Sequence, residues 1–198
     1  RNRIAIFRSL TRLRHLSLDP ALVDSEHAGV GSAKIDALVD LLAPVVAEGH
    51  QALVFSQFTG FLARVRARLD AEGISYAYLD GRTTRRDEVI ADFRSGARSV
   101  FLVSLKAGGF GLTLTEADYV FLLDPWWNPA VEMQAIDRAH RIGQTRQVFA
   151  YRLICHNTVE EKIAELQGRK KELADAILQA DNQLIQDLTT EDLELLLS

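Results

Sequence analysis

The sequence predicts an α/β domain, a parallel sheet with helices on both faces, carrying N- and C-terminal helical appendages. Three observations support this. From residue 50 onward, short β-rich runs alternate with longer amphipathic segments, the pattern of a sheet whose strands are joined through helices. The informative polar and glycine residues cluster just after the β-rich runs, where ligands bind in open parallel sheets. Before residue 50 and after residue 158 the apolar spacing is purely helical.

Taken in order, Ile4, Phe7, Leu10, Leu13 and Leu16 recur at helical spacing, and Asp19-Pro20 stops that helix. Residues 25–31 are small and polar and read as a linker. Ser32 is placed to cap a helix bearing Ile35, Leu38, Leu42 and Val45. Strands are expected at 52–55, 76–79, 100–103, 119–123 and 149–154, with helices at 58–72, 84–94 and 130–142. After Thr158, Val159, Ile163, Leu166, Leu173 and Ile177 form one stripe of a bracing helix. Thr190 is placed to cap a last, Leu-rich helix over 188–197.

A chain of 198 residues, 47% of them hydrophobic and 25% charged, suits one ordinary globular core. It holds no apolar run near the roughly 20 residues a membrane helix needs. The start lacks a signal-peptide layout, and lone Cys155 has no internal disulfide partner, so a reducing, intracellular setting is expected. The net charge of −4 hides an uneven distribution. Arg1, Arg3, Arg8, Arg12 and Arg14 open the chain as either a solvated helix face or a phosphate-binding one. Asp181, Asp187, Glu191, Asp192 and Glu194 close it.

The stretch Ser104-Leu105-Lys106-Ala107-Gly108-Gly109-Phe110-Gly111 directly follows a strand. Glycines there either serve turn chemistry or bring backbone amides close to an anion. It is not a P-loop, because the G-x-x-x-x-G-K-[ST] pattern occurs nowhere in the chain. A dinucleotide fingerprint also fails on spacing, which argues against a Rossmann-type cofactor enzyme. In the string Gln134-Ala135-Ile136-Asp137-Arg138-Ala139-His140-Arg141-Ile142-Gly143-Gln144, Gln134, Arg138 and Arg141 lie four and three apart. On a continuous helix they would project from one face, and paired arginines suit the charge that spreads over a transferring phosphoryl group.

That string resembles helicase motif VI of the Swi/Snf family of superfamily 2 translocases. Residues 104–115, with Leu123-Asp124-Pro125-Trp126-Trp127-Asn128-Pro129, look like the family's motif V and its tryptophan-bearing extension. Ser56-Gln57-Phe58 resembles motif IV, and Leu79-Asp80-Gly81-Arg82-Thr83 the motif that follows it. The resemblance covers about residues 32–180. Thr113 stands where many relatives have Asn, and Arg82 where many have Ser.

What the resemblance implies is a RecA-like helicase C-terminal lobe at 32–157, entered by a helical segment and linker at 1–31 and followed by bracing helices at 158–198. Such a lobe would be the second half of an ATP- and Mg²⁺-dependent double-stranded DNA translocase, and would bind neither cofactor tightly alone. Arg138 and Arg141 would be arginine fingers, with Gln134 positioning them or the nucleotide. Gly109 and Gly111 would line the cleft toward the nucleotide. Gln57, Gly81, Arg82, Thr83, Ser104 and Lys106 would follow the DNA backbone. No metal ligand is expected in this lobe, and Asp137 and His140 read as supporting residues. Trp126 and Trp127 read as loop packing, because the family grips duplex by its backbone and not by stacking on bases. The implied partners are an N-terminal lobe of the same protein, duplex DNA and a protein to be remodelled, in a bacterial cytoplasm at the nucleoid or in a eukaryotic nucleus. A non-catalytic DNA- or protein-binding module descended from such a lobe is the alternative.

Overall fold

The computed structural model describes residues 2–104 and 113–174. Their contacts divide into two units, one within Ser32–Asp124 and Met133–Leu153, the other within residues 2–31, 125–132 and 154–174.

The first unit holds five strands: β1 (Ala52–Ser56), β2 (Tyr76–Leu79), β3 (Val100–Ser104), β4 (Tyr119–Leu122) and β5 (Phe149–Arg152). They lie in the order β2-β3-β1-β4-β5, and every pairing is parallel. β1 and β3 each run one residue beyond expectation, pairing Ser56 with Ser104 at their carboxyl ends. β4 and β5 stop early. The carbonyls of Leu123 and Leu153, which would extend them, accept from the buried Lys34 ammonium at 2.6 and 2.9 Å.

Every residue of β1 and β3 is buried, as both-face burial of a parallel sheet requires. Side chains alternate across the pleat. Leu53, Phe55, Phe101, Val103, Val120 and Leu122 face one cluster with Phe93, Ala135 and Ala139. Helix α2 (Ala33–Ala47) buries Ile35, Leu38, Leu42 and Val45, and α3 (Thr59–Ala71) buries Phe61, Leu62, Val65 and Leu69. Ser32 caps α2 by accepting the Ile35 N–H, as the sequence indicated. Helix α4 (Arg86–Arg94) begins two residues later than expected and carries Asp87 and Glu88 in its first turn, where negative charge suits the helix dipole.

Helix α5 (Pro129–Ile136) departs most from expectation, ending at Ile136 and not at 142. The Asp137 and His140 amides still reach back four residues, to Met133 and Ile136, but Arg138 N–H bonds to Ala135 and Ala139 N–H to Ile136, three residues back, tightening the chain out of the α-helix. A continuing helix would reserve the Arg138 carbonyl for the N–H of residue 142. Here it accepts from the Leu114 N–H at 2.8 Å. Gly143 then takes φ +106°, a conformation that side-chain-bearing residues rarely adopt.

The second unit is built on α1 (Asn2–Leu18) and α6 (Val159–Ala174). Leu10 joins Val159, Ile163 and Leu166 in one cluster, with Ile6, Phe7 and Trp127 against it. Leu13 and Leu16, expected on the same stripe, are exposed. Asp19 caps a 3-10 turn at Pro20–Leu22, and residues 25–29 form a second 3-10 turn capped by Asp24 where a plain linker was expected. The Leu-rich segment 188–197 and the acidic end lie outside the described residues.

Phe101, fully buried with its ring 5.1 Å from that of Phe93, tests the core. Phe101→Ala is expected to lower stability by about 3–5 kcal/mol, read as a reduced urea midpoint with an unchanged denaturant slope.

Candidate nucleic-acid cleft and arginine segment

A cleft of about 500 Å³ opens at the carboxyl ends of β1, β2 and β3, lined by Gln57, Thr59, Gly60, Tyr78, Asp80, Gly81, Arg82 and Ser104. Four of the six residues expected along a DNA backbone therefore share one concave surface. Thr83 sits in the same loop as Arg82. Lys106, and the nucleotide-side candidates Gly109 and Gly111, lie outside the described residues.

Two carboxylates that the sequence reading gave no role organise this cleft. Asp124, only 2% exposed, accepts from the Ser56 hydroxyl and, at 3.3 Å, from the Gln57 N–H. Ser56 in turn accepts from the Phe58 N–H. The first residues after β1 are thus fixed from the end of β4, and Gln57 is delivered to the cleft on a braced backbone. Asp80 does the same for its own loop. Its Oδ1 accepts from the Arg82 N–H at 2.9 Å and the Thr83 hydroxyl at 3.2 Å, and its Oδ2 accepts from the Tyr78 hydroxyl at 3.0 Å. Burial alone would raise the Asp80 carboxyl. The Arg82 N–H, the Tyr78 and Thr83 hydroxyls and the Arg82 charge outweigh burial and hold it below the ordinary carboxylate range. Asp80 directly follows β2 and Asp124 lies two residues beyond β4, and that placement is the signal by which they could have been found.

Tyr78 is pushed up to about 12, by burial first and then by its hydrogen bond to Asp80. Arg66 lies over its ring at 4.5 Å and over that of Tyr76 at 5.7 Å, a cation–π arrangement that packs the cleft wall.

Of the motif VI candidates, Gln134 is exposed on α5, Arg138 is 9% exposed and Arg141 is exposed. The shared helical face expected for all three is not formed, because α5 ends at Ile136. The two arginines nonetheless remain neighbours. Arg138 has its pKa lowered, by burial first and then by the positive charge of Arg141. Arg141 donates from Nη1 to the Thr113 hydroxyl at 3.0 Å, while Arg94 donates to the Thr113 carbonyl at 2.6 Å.

In the other unit, Trp126 is buried and Trp127 packs on the α1–α6 cluster. Glu132 accepts from the Trp126 N–H at 2.8 Å and from Gln167 at 2.9 Å, and Gln167 also donates to the Trp126 carbonyl. Arg14 lies 5.5 Å over the Trp127 ring and donates to the Pro125 carbonyl at 2.7 Å. The tryptophans pack, as the sequence indicated. Of the basic start, Arg14 is buried while Arg8 and Arg12 are exposed.

An all-parallel sheet with its polar loops at the strand ends and a paired-arginine segment defines a RecA-like helicase lobe. Residues 33–143 match the helicase conserved C-terminal domain. The chain is 41% identical over 177 residues to the DNA repair protein RAD5A of Arabidopsis thaliana, covering 88% of this chain and 17% of that protein's length. Its fold is similar to the SWI2/SNF2 ATPase C-terminal domain of Sulfolobus solfataricus, with a TM-score of 0.76 and 28% identity over 98% of this chain and 81% of that one. It is equally similar to the same organism's SWI2/SNF2 ATPase core in complex with double-stranded DNA, at a TM-score of 0.76 and 29% identity, over 98% of this chain and 42% of that one. This chain belongs to the helicase conserved C-terminal domain family, in its SWI/SNF form. Among the described residues no helix is long and apolar enough to cross a membrane.

The Tyr78 shift has a defined sign. A folded pKa raised above the unfolded value of 10.0 contributes stability that is complete below pH 10 and lost as pH rises to about 12. The stability gap between the chain and its Tyr78→Phe variant should accordingly shrink across that window, as followed by urea unfolding at successive pH values.

Proposed function

We propose that this chain is the second motor lobe of an ATP-dependent double-stranded DNA translocase or remodeller. In this reading it supplies arginine fingers from Arg138 and Arg141 and backbone contacts from the cleft at Gln57, Gly81, Arg82, Thr83 and Ser104. The observation that carries the reading is an exposed Arg141 held by its bond to the Thr113 hydroxyl, in one segment with an Arg138 whose pKa is lowered by burial and then by the Arg141 charge. Paired guanidiniums suit the charge spread over a γ-phosphoryl group in transfer.

When bound between two lobes, ATP with Mg²⁺ supplies the transferable phosphoryl group. The part played by this chain is electrostatic. Arg141, exposed and tethered to Thr113, reaches the charged oxygens, and Arg138, largely buried, strengthens the local positive field. Gln134 helps to orient the nucleotide or the arginines. The cleft residues meet phosphates, which carry no sequence information, so the motor tracks a strand of the duplex without reading it. Lys106 extends that track, and Gly109 and Gly111 let the backbone approach the nucleotide. The partners in this reading are an N-terminal lobe of the same protein, duplex DNA and a protein to be remodelled. The setting is the bacterial cytoplasm and nucleoid, or a nucleus if the source is eukaryotic. The chain alone is inert as an ATPase.

In a protein carrying both lobes, Arg138→Ala and Arg141→Ala are each expected to lower DNA-stimulated ATP turnover by about 10³-fold or more, and the isolated chain is expected to give none. Unchanged turnover in both variants would instead favour a non-catalytic DNA- or protein-binding module. Arg82→Ala should weaken duplex binding equally on every sequence and reduce the slope of log affinity against log salt by about 0.9, one phosphate contact.

A further inference from the structure

The segment carrying Arg138 and Arg141 leaves its helix at Ile136, so it has no continuous ladder of its own to hold it. Much of what holds it converges on one side chain. The two N–H groups of the Gln144 amide serve three carbonyls, those of Ala117 at 2.8 Å, Thr115 at 3.0 Å and Ala139 at 3.2 Å, one hydrogen being shared. Its amide oxygen accepts from the Arg146 N–H at 2.9 Å. The orientation of the amide is unambiguous, since three acceptors lie on one side of it and a donor on the other. Thr115 and Ala117 belong to the stretch by which the chain leaves the Gly-rich sequence, and Ala139 stands between the two arginines. Two further bonds join the same pieces, Leu114 N–H to the Arg138 carbonyl and Arg141 to the Thr113 hydroxyl.

We infer that Gln144 is the positioning residue of the arginine pair: its amide fastens the Arg138–Arg141 segment to residues 113–117, so that both guanidiniums move with the exit of the Gly-rich stretch as one body. This rests on the arginine-finger reading above. Hydrogen-bonded primary amides suit the task because one NH₂ can bridge several carbonyls from different segments, which neither a carboxylate nor a hydroxyl can do. The required tolerance is tight. Productive geometry must be kept to about 0.5 Å, and a displacement near 1 Å made away from the chemistry can cost about 10²-fold.

The test uses a protein carrying both lobes. Gln144→Glu has the same shape but turns a carboxylate oxygen toward three carbonyl oxygens, and Gln144→Met keeps the length without donors. Turnover at saturating ATP and duplex is expected to fall about 10²-fold in Gln144→Glu and about 10-fold in Gln144→Met, with duplex affinity changed by less than about threefold. Combined with Arg141→Ala, either substitution should cost clearly less than it does alone, because one of the two arginines it positions is already gone. Losses that multiply in the double variants, or turnover within about threefold of wild type in Gln144→Met, overturn the inference while leaving the motor-lobe reading intact. Normal turnover in Arg141→Ala alone removes the inference, and normal turnover in both Arg138→Ala and Arg141→Ala removes the reading with it. Should Gln144→Glu fail to fold, the Gln144→Met cycle decides alone.

Discussion

The complete burial of β1 is the constraint on which the rest of the unit depends. A strand third in a five-stranded parallel sheet, with every residue enclosed, offers no side chain to a ligand along its length. Whatever it contributes must emerge at Ser56 and Gln57, where the ladder ends. Those residues would leave the sheet with unmet backbone groups and no fixed direction. The Asp124 carboxylate removes both problems, taking the Ser56 hydroxyl and the Gln57 N–H together. Lys34 performs the complementary service for the carbonyls at the ends of β4 and β5. A buried acid and a buried base thus close the carboxyl edge of the sheet and leave a shaped cleft beside it.

The strands, their parallel arrangement and the helices between them were legible because burial on both faces writes itself into apolar runs of strand length. Ser32 as a cap and the existence of α1 and α6 as amphipathic helices were legible for a similar reason, since local hydrogen bonding and stripe spacing are properties of neighbours in sequence, whereas the packing of α1 on α6 was not foreseen. Leu13 and Leu16 show the limit. Their spacing fits the stripe, but the face that packs runs through Ile6, Phe7 and Leu10. The end of α5 was illegible. Residues 130–142 carry good helical periodicity, and nothing local announces that the Arg138 carbonyl is claimed by an amide 24 positions earlier in the chain, at Leu114. Gly143 alone marked the turn.

The candidate site divides along the same line. Gln57, Gly81, Arg82 and Ser104 were found by their place after strands and by resemblance, and the fold gathers them in one cleft. Asp124 and Gln144 were passed over as site residues because their partners are distant in sequence, and Asp80 because its bonds to Tyr78, Arg82 and Thr83 shape a loop and leave no mark of their own in the pattern. The tryptophans were read as packing, and Glu132, Gln167 and Arg14 supply the reason, since they satisfy the polar groups around two large rings.

The early stop of α5 bears on how such a lobe can be altered. A helix carried on past Ile136 would advance about 1.5 Å and turn about 100° with every residue, so by Arg141 the guanidinium would stand several ångströms along and on another side. Helix propensity in 137–142 is then a quantity to be kept low. Substituting alanine or leucine there, or replacing Gly143 to firm up the backbone, follows the usual recipe for a more heat-resistant protein. In this segment it would strengthen a competing conformation at the expense of the working one, and a gain in melting temperature would be a poor guide to a better motor.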